Sequence, residues 1–522
     1  MNCSNFATLK RVNTTNNTSK EPANMKLDTT SPKMAMMLIE VIAFALLCVV
    51  SSSHFGMADG ARITLAYLVA YLIPKIVLTR ARGTSTAASV VLLIMAIALM
   101  AISYINLLEW TSVDGYDLEV PNIKNDARGY YKWALYHYDG RLDPQHIVFK
   151  GFPLMMLISW KLLGLSVIWP QAMNMMFTLT AVVLTGMTTR RLLAHRVSLP
   201  VHTLLTGGML LTFLLTYYLM SGISILKEAS VFFSISMAGY ALATMASGDE
   251  ERHHPWRDLL IFATACAIMA LVRTTFLYFI ALGVVLMVLP HWRRDWVMAL
   301  CMLVIFLLTL FIGNFFAAYS FEQHANIANG GWDMQLTYSE FNNPSRAAFR
   351  KLIGFYFLYS PWHKFFMLPL TLSLQFIAPF PWQPYGEDNV IFNHIIRFSY
   401  GWYALGGIAL FYYLFISWRR QDNMGAWAWW PATTYAITAY IMAGSVARYV
   451  LPFEPLFIPV VMYVLCRLAE GYWRKAFKRW CIFFVILVAV TLVLCLEIQQ
   501  NTISRMLHTQ PLVHYLKNYL YL

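Results

Sequence analysis

Along almost the whole chain, apolar runs long enough to cross a bilayer core of roughly 30 Å alternate with short polar breaks. The breaks place spans at Met34 to Val50, Ile63 to Leu78, Ala87 to Leu108, Trp169 to Thr189, Val201 to Leu219, Ala229 to Ala246, Leu259 to Val272, Thr275 to Leu289, Trp296 to Ala318, Phe398 to Ser417, Ala426 to Ala443, Val450 to Leu465 and Cys481 to Leu496. The pattern predicts an all-α polytopic membrane protein with about 11–14 transmembrane helices and amphipathic helices in its external loops.

The first 33 residues break the pattern, being polar, rich in Thr and Asn, and closed by Lys33. Without the apolar centre of a cleavable signal peptide, 1–33 reads as a disordered cytoplasmic tail. Residues 34–496 then form one transmembrane domain with external loops at about 109–168 and 319–397, followed by a short external tail at 497–522. Composition agrees: 59% of residues are hydrophobic and only 12% charged, which leaves no room for a separate soluble domain.

A formal charge of +13 raises nucleic acid as a partner, but the Lys and Arg sit in short loops between apolar spans, where they act as topology signals. With the N-terminus cytoplasmic, every second loop carries the basic residues: Arg80 and Arg82, then Arg190, Arg191 and Arg196, then Arg252 and Arg257, Arg293 and Arg294, Arg419 and Arg420, and the run Arg467 to Arg479. This is the positive-inside pattern of a multi-pass inner (plasma) membrane protein with membrane lipids around it and no nucleic acid partner. The pattern also decides two ambiguous stretches. One uninterrupted span across Arg273 would put the later Arg pairs outside, so two short crossings meet there. The apolar run Phe365 to Phe376 is read as interfacial or re-entrant, leading into a proline-rich turn at Ala378 to Pro384.

On this map Asp126, Lys227, Glu228, Arg273 and Arg448 all face outward, although none was used to build it. The last four lie at or near span ends, where an ionisable side chain is costly unless solvated, paired or engaged with a ligand. Snorkelling to the interface is the ordinary alternative for each cation. The first long loop holds Asp114, Asp117, Glu119 and Asp126, any of which could be a reacting carboxylate. Asp126 stands out because Tyr130, Tyr131 and Ala134 follow at helical spacing, as in an amphipathic helix lying on the membrane surface. A helix N-cap explains an Asp at that place equally well.

An ordered set of motifs resembles one family. The stretch NDARGYYKWA (Asn125 to Ala134) is followed by a Pro- and Gly-containing segment from Gly151 to Leu193 that ends in a basic loop. Then come SGISILKEASVFF (Ser221 to Phe233), LVRTTF around Arg273, and GSVARYVLPFEPLFIPV (Gly444 to Val460). Together they resemble the GT-C superfamily of polyprenyl-phosphate-sugar-dependent membrane glycosyltransferases, of the bacterial type related to protein mannosyltransferases and lipid A aminoarabinose transferases. The likeness covers roughly Ala87 to Leu465 and lies in the order of the motifs. Many members carry a second acid directly beside the first-loop Asp, whereas here the neighbours are Asn125 and Ala127. That leaves the metal open, with a divalent cation one admissible cofactor, and keeps Asp114 and Asp117 as alternative bases.

The resemblance implies a transferase that moves a sugar from a polyprenyl-phosphate-linked donor to a glycan, lipid or protein acceptor at the external face, with inversion. Asp126 would accept the acceptor's hydroxyl proton. Arg448, supported by Arg273 and Lys227, would bind the lipid-phosphate leaving group, since guanidinium suits bidentate phosphate contact. Tyr130, Tyr131, Glu228 and Tyr449 would complete the substrate site, with Glu228 as a partner of Lys227.

Other signals carry less. Glu40 and Lys75 lie inside spans and read as buried polar contacts or lateral partners. His253 and His254 read as solvated loop residues. The seven cysteines contain no CxxC, and no phosphate loop or dinucleotide fingerprint is present. Asn-x-Ser/Thr matches at Asn2, Asn13 and Asn17 fall in the tail assigned to the cytoplasm. Aromatic and amide residues after Ala318, including Trp332, Tyr338, Asn342, Asn343 and Trp382, fit either acceptor recognition or an interfacial belt. Two rival readings stand beside the transferase. A polysaccharide polymerase or ligase shares the donor chemistry, and a lipid-linked oligosaccharide flippase or transporter would carry internal repeats, of which none is evident.

Overall fold

The computed structural model describes residues 30–81, 84–112, 117–123, 125–141, 151–213, 222, 224–247, 255–288, 292–316, 409, 412–414, 423–442, 451–472, 474–483, 485–486 and 489. Among these, every regular element is helical. The helices are α1 (Thr30–Phe55), α2 (Met57–Thr79), α3 (Thr86–Thr111), α4 (Asn125–Tyr138), α5 (Gly151–Leu163), α6 (Ile168–Leu193) and α7 (Val201–Phe213). They continue with α8 (Glu228–Ser247), α9 (Pro255–Arg273), α10 (Leu277–Val288), α11 (Trp292–Phe316), α12 (Asn423–Met442) and α13 (Ile458–Ala469), with 3-10 turns at Thr274–Phe276 and Leu451–Leu456. Six described stretches are long and apolar enough to cross a membrane, so the chain is an all-α polytopic membrane protein.

Several helices outrun the apolar runs that announced them. The polar stretch Ser51 to His54 continues α1 because hydroxyls return to the preceding turn: Ser51 Oγ donates to Leu47 O (2.5 Å) and Ser53 Oγ to Val50 O (2.7 Å). Gly56 alone separates α1 from α2, at φ +85°, a conformation that an L side chain rarely adopts. The two helices form a hairpin, closed at its far end by an ion pair between Glu40 and Lys75 and by Tyr71 OH donating to Glu40 Oε1 (2.7 Å). The two intramembrane charges therefore satisfy one another.

α6 is the central helix, with 89% of its span buried against 22% for α1 and α11. Its interior polar residues are tolerated because Thr180, Thr185, Thr188 and Thr189 each donate to the carbonyl four residues back (2.7–2.9 Å). At Gly186 the backbone of α7 comes so close that a Cβ would lie 2.7 Å from Leu205 O, the close approach that small residues permit between membrane helices.

α9 and α10 meet at Arg273, and the contacts of α11 establish the geometry there. Cys266 meets Thr309 and Ala270 meets Gly313, so α9 and α11 run parallel. α10 and α11 are joined by residues 289–291 alone and touch again where Tyr278 packs on Phe306 (6.1 Å between centroids), so they run antiparallel. The chain thus reverses over Thr274–Phe276, and the 33-residue apolar stretch Pro255–Met287 is two helices.

Contacts sort the helix ends into two groups. One end gathers the start of α2, the end of α3, α4 and the starts of α6, α8 and α10. The opposite end gathers Arg80, Arg191, Arg196, Arg257 and Arg467. There Arg191 clasps α6 to α8 and α9, donating through Nη1 to Tyr240 O (2.9 Å), Thr244 Oγ1 (2.6 Å) and Asp258 Oδ1 (3.4 Å).

Candidate functional site

α4 supplies the surface of the site. Ala127, Tyr130, Tyr131 and Ala134 repeat at helical spacing and are all buried, while Arg128 and His137 are exposed. Asp126 falls in the first turn, after Asn125, where a carboxylate is favoured by the helix dipole. Its side chain lies outside the described residues. Tyr130 packs edge-on against Phe152 (5.8 Å), and Tyr131 packs against Trp160 (5.0 Å) while its hydroxyl donates to Glu119 O. Burial, and secondly the charges of Asp117 and Glu119, push the Tyr131 phenol well above its ordinary value, so it remains a neutral donor.

α5 was not foreseen as an element. Its apolar run is too short to cross a bilayer, yet it forms a helix under α4 and ends where Gly164 takes φ +89°. Gly151 at its start lies against the Leu271 carbonyl, so close that any Cβ there would collide with it. This contact ties α5 to the end of α9, two residues before Arg273.

The segment before α8 is held from α6. Asn174, fully buried, donates from Nδ2 to Ser224 O (2.6 Å) and to Leu226 O (2.7 Å), which fixes the backbone immediately ahead of Lys227. Lys227 Nζ then stands 5.7 Å from the centre of the Tyr130 ring, within cation–π range. Glu228 opens α8 and is buried at 4% exposure, and its Oε2 has no hydrogen-bond partner among the described residues.

Arg273 is buried at 8% exposure where α9 ends, with its guanidinium 4.2 Å from the Phe276 ring. Phe276 in turn packs on Phe453 (5.2 Å) in the 3-10 turn Leu451–Leu456. The late motif is therefore brought against the Arg273 turn through its own downstream aromatic. Arg448 and Tyr449 lie outside the described residues, as do Asp114, His253, His254, the loop 319–397 and residues 1–29 and 497–522, whereas residues 30–33, read from the sequence as the end of a disordered tail, already form the first turn of α1.

Of the expected site residues, Tyr130, Tyr131, Lys227, Glu228 and Arg273 share one end of the bundle. Asp117, an alternative base, spends Oδ1 on the backbone N–H groups of Glu119 (2.8 Å) and Val120 (2.7 Å), a turn-forming role. Two residues were missed. Asn174 was legible only as one of two amides in a mostly apolar span, and Glu454, buried at 2% exposure, as an acid inside a hydrophobic segment. Among the described residues no three His, Cys, Asp or Glu gather as a metal centre requires. Comparison with family models, with curated proteins and with solved structures yields no match.

Proposed function

We propose that this protein is an integral-membrane glycosyltransferase that moves a sugar from a polyprenyl-phosphate-linked donor to a glycan, lipid or protein acceptor at the α4 end, with inversion. The observation that carries the reading is that Lys227, set against Tyr130 of the amphipathic helix that begins with Asn125 and Asp126, and buried Arg273, set two residues beyond the contact with α5, lie at the same end of the bundle. Cations there can hold a phosphate whose negative charge grows as the glycosidic bond breaks. Buried Arg273 acts in a low dielectric, where a charge is worth more than at a solvated surface.

In this reading Arg448, Arg273 and Lys227 hold the lipid phosphate. Asp126 takes the proton of the acceptor hydroxyl as it attacks the anomeric carbon from the opposite face, and the polyprenyl phosphate leaves. Tyr130 keeps Lys227 in place through its ring. In this reading the opposite end, with its basic residues, is cytoplasmic as the positive-inside rule favours, and the site is external, in the cell envelope.

The test uses purified protein in vesicles supplied with a panel of polyprenyl-phosphate sugars and an envelope extract as acceptor. The expected result is free polyprenyl phosphate together with a transferred sugar of inverted anomeric configuration. Movement of intact lipid-linked sugar across the bilayer without cleavage would instead make the protein a transporter.

A further inference from the structure

The end of the bundle opposite α4 contains a cleft of about 570 Å³ between the α6–α7 connection and the end of α13. It is lined by Arg196 and Arg467, by His195 and by the acid Glu470. Arg467 is fixed in advance: Nη1 donates to Glu470 Oε2 (3.0 Å), and the guanidinium lies near the rings of Tyr463 (5.3 Å) and Tyr472 (5.4 Å). Glu470 is occupied in building the wall. Its Oε1 accepts from Ser198 N (3.1 Å) and Ser198 Oγ (2.8 Å), which joins the α6–α7 connection to α13. Those bonds, led by the Ser198 N–H, hold the Glu470 carboxyl below its ordinary range.

Two guanidiniums, those of Arg196 and Arg467, thus line a cleft whose carboxylate, Glu470, is already bonded through both oxygens. The cleft opens where α6 and α13 end, beside the exposed ring of Tyr472 (56% exposed), and interfacial rings of this kind are favoured at membrane boundaries. Guanidinium matches phosphate in charge and fork geometry.

We propose that this cleft is a phosphate-group site, filled by the headgroup of an anionic lipid in the adjacent leaflet or by free phosphate. Basic pockets between membrane helices hold anionic headgroups by this chemistry. Neither the α4 end nor the transfer reaction enters the inference.

The full-length protein is tested in vesicles of phosphatidylglycerol mixed with phosphatidylcholine, with lipids retained on extraction counted by native mass spectrometry. In a parallel arm, melting is followed as inorganic phosphate is added. Arg196→Gln leaves the Arg467–Glu470–Ser198 contacts intact, and Arg467→Gln removes the second cation. Selective retention of phosphatidylglycerol that falls about tenfold in Arg196→Gln, or more in Arg467→Gln, supports the site with a lipid source. Stabilisation by phosphate alone, lost in Arg196→Gln, supports it with a free-phosphate source. Equal retention of both lipids together with no effect of phosphate overturns it. So does retention in both variants that matches the original chain.

Discussion

Replacing Asn174 by Asp isolates the contact that sets the Lys227 backbone. Asp is the same size, so no cavity is made, but the two N–H donors to Ser224 O and Leu226 O are replaced by an oxygen. A buried hydrogen bond contributes about 0.5–1.5 kcal/mol net, so losing two costs the segment about 1–3 kcal/mol. That corresponds to roughly fivefold to 150-fold more frequent opening. Hydrogen exchange on the protein in nanodiscs reads this directly, as faster exchange in residues 224–230 with the α1–α2 hairpin unchanged. Exchange within twofold of the original chain across 224–230 would refute the assignment. Asn174→Ala is the milder control, because it removes the donors without adding an acceptor beside two carbonyls.

At Gly151, an alanine would push α5 off the Leu271 carbonyl, and overpacking of about 1–3 kcal/mol is expected as a lower melting temperature with α4 loosened from Phe152. Unchanged melting would mean that α5 does not dock there. Arg191→Met strands Asp258, which is 5% exposed, and should cost about 3–5 kcal/mol, whereas adding Asp258→Leu should recover most of it. A double variant no more stable than the single one contradicts the clasp. Glu470, whose folded pKa is lowered, contributes stability that is present above the unfolded carboxylate range and lost as pH falls through the lower folded value. Melting of the original chain should therefore drop more steeply below about pH 4 than that of Glu470→Gln, and parallel slopes would remove Glu470 from the clasp.

Legibility followed the length and period of each segment. α4 was readable because Tyr130, Tyr131 and Ala134 recur on one helical face. The reversal at Arg273 was readable from charges far away, since only two short helices keep the later Arg pairs on one side. α5 was not readable, because a 13-residue apolar run without a polar stripe is neither a span nor a surface helix by pattern alone. The extension of α1 was hidden by serines whose hydroxyls turn back to their own helix, a bond that hydropathy does not register, and that of α2 by Asp59 and Arg62, which pair with one another (3.2 Å). Glu40 and Lys75 were seen as intramembrane charges, but their pairing required the hairpin to be closed. Asn174 escaped notice among the other polar residues of its span, whose partners the sequence does not show, and Glu454 because a single acid in a span carries no periodic signal.

The central claim is that this chain transfers a sugar and that Asp126 is the base. The most direct measurement is mass spectrometry of lipid-linked and surface glycans in cells lacking the protein, restored with the original chain or with Asp126→Asn at matched membrane abundance. The expected result is the loss of one sugar from a defined glycan, restored by the original chain and not by Asp126→Asn. Full restoration by Asp126→Asn would make Asp126 a helix-start residue only, and a glycan profile unchanged by deletion would contradict the transferase itself.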